Sequence, residues 1–180
     1  MYRKCVTEVS ARNQHQVAES LLALMQKMPY EDITVTQLCQ SAGVSRRVFY
    51  HLFSNKLGAL HALVDHQILG IESYSLEIPG ESLRFVLYWK DQKDFLDALS
   101  ENGFSGLLLE RMVTKVLEED YEILHGLQRS GWADNSKEVV IYGLSGLVGL
   151  IYSWHYSGFR QEPEELADLV ERLAKLFYLN

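Results

Sequence analysis

The strongest constraint on the fold lies between residues 33 and 53, where two short apolar-periodic stretches flank the tight connection Ala42-Gly43-Val44-Ser45. Thr34 and Gln37 have the spacing of a capping box, and Ile33 and Leu38 occupy the positions of a hydrophobic staple, so a helix is expected to start there. Gly43 suits the left-handed residue that follows a helix end. Ser45 then caps a second helix, with Val44 and Phe49 as its staple. Two helices of about two turns each, joined by a turn containing glycine, have the spacing of a DNA-binding helix-turn-helix, about 34–53.

The second of these helices separates cleanly on a wheel of about 100° per residue. Val48, Phe49, Leu52 and Phe53 fall on one half, and Arg46, Arg47, Tyr50 and His51 on the other. An amphipathic helix is common. An outward face with two arginines, a tyrosine, a histidine and no acid, at the N-terminal half of the helix, is what a recognition helix presents to base edges and phosphates. Arginine grips guanine bidentately, whereas tyrosine and histidine more often bond phosphate. Lys56 and the free amides at the start of the next helix offer a phosphate seat, and Thr36 and Ser45 add short donors.

Charge supports a chain that touches nucleic acid with one end only. Residues 1–60 hold seven basic and four acidic groups, a net +3, while the remaining 120 hold ten basic and twenty acidic, a net −10. Two cysteines, Cys5 and Cys39, make no disulfide framework or metal motif, which fits a reducing, cytoplasmic setting. No signal peptide is expected. Val139 to Phe159 lacks charged side chains and is long enough to span a bilayer, but four glycines (Gly143, Gly146, Gly149, Gly158) lower its hydrophobicity, and a buried helix is the better reading.

With few prolines and abundant helix formers, the whole chain reads as all-α. A first helix runs from near Ser10 to Pro29, and a fourth from about 55 towards 78, before Pro79-Gly80. Further helices are expected at about 82–100, 104–127, 136–158 and 164–178. The organisation expected is an N-terminal three-helix helix-turn-helix domain over 1–60, and a C-terminal helical dimerisation and effector-binding domain over 61–180, connected by the fourth helix.

The run Ile33-Thr34-Val35-Thr36, the turn Ala42-Gly43-Val44-Ser45, the pair Phe49-Tyr50 and the following Lys56 resemble the DNA-binding signature of the tetracycline-repressor (TetR) family. The resemblance covers roughly residues 10–60. It implies three N-terminal helices, a connecting fourth helix, and a divergent helical body that binds a ligand and dimerises through its last two helices. It also implies DNA contacts by Thr36, Ser45, Arg46, Arg47, Tyr50, His51 and Lys56, to a palindromic double-stranded operator. The sequence departs from the family at Leu57-Gly58, where acidic or polar residues are usual, and at Leu52, which replaces a frequent aromatic.

In the body, Gly143, Gly146, Gly149, Ser153 and Ser157 share one stripe about 120° wide. Such a stripe lets another helix approach closely. We read it, with Leu169 and Leu173 of the last helix, as the dimer interface; an intrachain crossing is the alternative. Trp89, Phe104, Met112, Tyr121, His125 and Tyr142 are the candidates for lining an effector pocket, with ordinary core packing as the plainer role. No cofactor or metal is expected. His61, Asp65 and His66 lie close on one helix, yet lack a third ligand, and no nucleophile or phosphate-loop motif is present, so the chain does not read as an enzyme. A regulator answering to a small molecule is the leading reading, and the same head controlled by a protein partner is its rival, with acidic surface around Glu118-Glu119-Asp120 and Glu162 to Glu165 as the candidate contact.

Overall fold

Helix ends follow the capping chemistry of the sequence. In the computed structural model, which describes residues 2, 7–69, 80–118 and 137–177, the described residues are all-α, with one isolated bridge between Tyr2 and Phe53. Helix α1 (Glu8–Met25) begins where the Thr7 hydroxyl accepts the Ser10 amide at 3.2 Å, and buries Val17, Ala18, Leu21 and Met25 along one stripe. A 3₁₀ turn (Tyr30–Asp32) follows Pro29. Helix α2 (Val35–Ser41) carries the full capping box: Gln37 donates its amide to the Thr34 hydroxyl at 3.2 Å, and Thr34 donates its own to Gln37 Oε1 at 2.9 Å. A cap of this kind contributes about 1 kcal/mol.

Helix α3 (Arg46–Leu52) is capped by Ser45, whose hydroxyl accepts the Val48 amide at 3.2 Å. Its inner side buries Phe49 and Leu52, with Phe53 just beyond. Each buried phenylalanine removes apolar surface worth about 2 kcal/mol from water. Helix α4 (Lys56–Leu69) is begun by Asn55, whose side-chain oxygen accepts the Gly58 amide at 2.9 Å. The expected continuation of this helix towards 78 lies outside the described residues.

The stretch expected as one helix over 82–100 is two: α5 (Glu81–Asp91) and α6 (Lys93–Glu101), broken at Gln92 with φ −86 and ψ 22. Asp91 to Lys93 contains neither glycine nor proline, so nothing local announces that break. Helix α7 (Leu107–Leu117), α8 (Lys137–Tyr156) and α9 (Pro163–Phe177) complete the described elements.

The chain divides into two units. The first is Met1–Gln67 with Asp97–Ser105, so it runs past residue 60 and takes in the end of α6. The reason is local chemistry around Tyr30. Its amide donates to Asn102 Oδ1 at 2.5 Å, and its ring meets Phe104 edge-on at 4.9 Å. Within this unit α1, α2 and α3 pack pairwise, around Val17, Leu21, Ile33, Leu38 and Phe49.

The second unit is Ile68–Leu96 with Gly106–Asn180. Here α5 packs on α9, α7 on α8, and α8 also meets α5 and α9. By length and composition α8 is apolar enough to cross a bilayer, with mean hydropathy 1.2 over its most apolar stretch. In this fold it packs on its neighbours and buries Val140, Leu144, Val148, Ile151 and Trp154.

Candidate nucleic-acid interface

The helix-turn-helix is built by one backbone motif. At the end of α2, Gly43 takes φ 64, its amide donates to Gln40 O at 3.3 Å, and the Val44 amide reaches back to Cys39 O at 3.0 Å. This pair of bonds is a Schellman motif. It satisfies two carbonyls left open at the helix end, and turns the chain so that Ser45 can cap α3 without any intervening loop.

The turn leaves Arg46, Arg47, Tyr50 and His51 together on the exposed side of α3, with Tyr50 49% exposed. The Tyr50 ring stands edge-on to Phe49 at 5.4 Å, so the buried phenylalanine orients the exposed tyrosine. Residues 33 to 56 include no acidic side chain, which leaves this face positive. At about 1.5 Å per residue α3 is about 10 Å long, a fit to a major groove about 12 Å wide. Thr36 is exposed on α2, and Ser45 is exposed but spends its hydroxyl on the cap.

Lys56, expected at a phosphate, is turned inward here. Its ammonium donates to the carbonyl oxygens of Tyr30, Glu31 and Ile33, the last two at 3.3 and 2.7 Å, and lies 4.1 Å from the centre of the Tyr30 ring. Burial holds its pKa below the usual lysine value, against the pull of Asp32 and Glu31.

Two polar residues that the sequence reading did not single out border the same face. Ser10 and Asn13, on the first turns of α1, line an open groove with Arg47, Tyr50 and His51 of α3. Their i, i+3 spacing marks a polar face of α1, but only the crossing of α1 and α3 brings that face beside the arginine.

The pocket candidates separate. Trp89 and Met112 line one apolar cavity of about 20 Å³ in the second unit, with Phe85, Leu108, Leu144 and Ile151. Phe104 belongs to the first unit, against Tyr30. Tyr142 is 72% exposed on α8, and Tyr121 and His125 lie outside the described residues. The Trp89 indole N–H is buried and has no hydrogen-bond partner among the described residues.

Of the seam candidates, Gly143 is buried, whereas Gly146, Gly149 and Ser153 are exposed on one side of α8. A Cβ added at Gly146 or Gly149 meets nothing within 4 Å. Leu169 and Leu173 are half-buried on α9. Asp65 of the His61–Asp65–His66 group is buried and accepts the Tyr2 phenol at 2.5 Å, while the His66 ring lies 5.2 Å from His15 of α1. Among the described residues, no group of three or more metal-binding side chains comes together.

No family model matches the chain, and no curated protein does. Among solved structures it is similar to the "Dihydroxyacetone kinase operon activator DhaS", with a TM-score of 0.61 at 18% identity over 91% of this chain and 94% of that one. The likeness extends over both units and is one of fold: this chain is an all-α protein built like that one.

Proposed function

We propose that the protein is a sequence-specific DNA-binding regulator of transcription, cytoplasmic and homodimeric, of the kind the tetracycline-repressor family comprises. The observation that carries this reading is the exposed, acid-free face of Arg46, Arg47, Tyr50 and His51 on a helix presented by a Schellman-closed helix-turn-helix. Its work is binding rather than catalysis. Two copies paired through α8 and α9 place two α3 helices in successive major grooves, about 34–36 Å apart, and repression follows from occupying a palindromic operator. The neighbour of like fold is named an operon activator; a head of this type serves either sense of control.

The direct test is selection of bound fragments from a random DNA pool, followed by titration with the wild type and the double variant Arg46→Ala/Tyr50→Ala. A palindromic site, bound by the wild type and lost by the variant, is expected. No enrichment at low salt, where phosphate contacts are strongest, rejects the reading.

Control by a small effector is the first form of regulation proposed, acting through a shift of α4 that changes the separation of the two heads. For that, the ligand must prefer the conformation that does not bind DNA. The exposed Glu162, Glu164 and Glu165 favour a second form, a protein partner acting on the body. Ligands that raise the unfolding temperature by mass action support the first form; a failed screen, with a stable partner co-purifying, supports the second.

A further inference from the structure

The ammonium of Lys56 is the only cation in the stretch 33–56 that faces the protein's own backbone among the described residues. An ammonium has three donors and no acceptor. Here the three acceptors are supplied by Tyr30 and Glu31, the first two residues of the 3₁₀ turn, and by Ile33, which follows it. The Tyr30 carbonyl also accepts the Ile33 amide at 3.2 Å, and a carbonyl oxygen has a second lone pair for the ammonium. The Tyr30 ring, 4.1 Å away, closes the remaining side with its negative face.

The positions of donor and acceptors along the chain give this cluster its meaning. Ile33 immediately precedes Thr34, the cap of α2, and Lys56 is the first residue of α4. The bond from Lys56 to Ile33 therefore closes a loop that contains all of α2, the glycine turn and all of α3. Tyr30 is itself held by Asn102 through its amide and by Phe104 through its ring, so the anchor is seated in the first unit.

We propose that Lys56 is a positioning residue, a backbone staple that fixes the helix-turn-helix against the start of α4, and that it is not a phosphate contact. This rests on the reading of α3 as the recognition helix. Charge alone does not make the staple. A guanidinium is a planar fork whose donors diverge, and it cannot converge on three carbonyls around one nitrogen. Arginine therefore satisfies a phosphate at this position and fails as a staple.

The test compares wild type, Lys56→Arg and Lys56→Met by three readouts. In the free protein, the staple requires a hydrogen-bonded, slowly exchanging Lys56 ammonium signal in nuclear magnetic resonance, close to the Tyr30 ring protons. An averaged signal like that of surface lysines overturns it. Chemical unfolding of both variants is expected at lower midpoints than wild type. Operator affinity, measured well below those midpoints, is expected to fall about tenfold in both variants at every salt concentration, with the slope of log K against log salt unchanged. If Lys56→Arg binds as the wild type does and Lys56→Met lowers the slope by about 0.9, Lys56 is a phosphate contact and the staple is rejected. If the midpoints fall but affinity holds, the residue is structural only and the positioning role is rejected. A wild type that enriches no DNA rejects the recognition-helix reading and the positioning role with it, while the ammonium signal still decides whether the staple exists.

Discussion

The amide of Val44 reaches back 3.0 Å to the carbonyl of Cys39 across a glycine at φ 64, and with the Gly43–Gln40 bond it closes the turn between α2 and α3. Around it, the hydroxyls of Thr34 and Ser45 cap the two helices. The exposed face of α3 thus depends on backbone conformation at Gly43 as much as on the side chains it displays.

Gly43 has open space where a Cβ would stand, so a substitution there meets no steric clash and tests the backbone alone. Gly43→Ala is expected to destabilise the head by about 1–2 kcal/mol, the cost of holding an L side chain in the left-handed region. Urea unfolding of the full chain, followed by a signal from the first unit, measures it. An unshifted midpoint contradicts the Schellman assignment.

Arg46 is at the first residue of α3 and exposed, the place from which a recognition helix contacts base edges. Arg46→Ala is expected to relax the selected operator at one position per half-site, with a loss of about 1–3 kcal/mol of discrimination there. Repeating the DNA selection with the variant shows it. A uniform loss at all positions assigns Arg46 to phosphate instead.

Gly149 offers a separation of folding from dimerisation. A Cβ added at this position meets nothing within 4 Å among the described residues, and replacing a mid-helix glycine improves α8 by up to about 1 kcal/mol. Gly149→Leu is therefore expected to remain folded, to sediment as a monomer, and to bind operator poorly. A dimer of unchanged stability would falsify the seam on α8.

His66 makes the head sensitive to acid. Burial lowers its pKa first, the neighbouring His15 lowers it further, and Asp65 and Glu19 oppose both. A histidine whose folded pKa lies below the unfolded value of 6.5 binds fewer protons folded than unfolded, so its stabilising contribution is present above that value and is lost as pH falls through the folded pKa. Thermal midpoints from about pH 8 to about pH 5 are expected to fall more steeply for wild type than for His66→Gln. Parallel profiles assign the acid sensitivity to other groups.

Caps, tight turns and helix faces were legible in the residues because they depend on near neighbours. The caps at Thr34 and Ser45, the turn at Gly43 and the inward and outward halves of α3 are bonds and periodicities spanning a few residues, so the spacing of residue types sufficed to place them. The all-α class followed for the same reason. Where long side chains end depends instead on packing between distant elements. Lys56 has the same local sequence whether it points to a phosphate or to Ile33 O, and only the position of the 3₁₀ turn supplies the three acceptors. Ser10 and Asn13 join the face of Arg47 through the crossing of α1 and α3. Phe104 leaves the proposed pocket for Tyr30 because the end of α6 packs with the first unit. The break at Gln92 belongs to the same group. A polar residue at a helix junction carries no local signal, and packing on each side selects the new helix direction, because burial rewards fitted surfaces rather than sequence proximity.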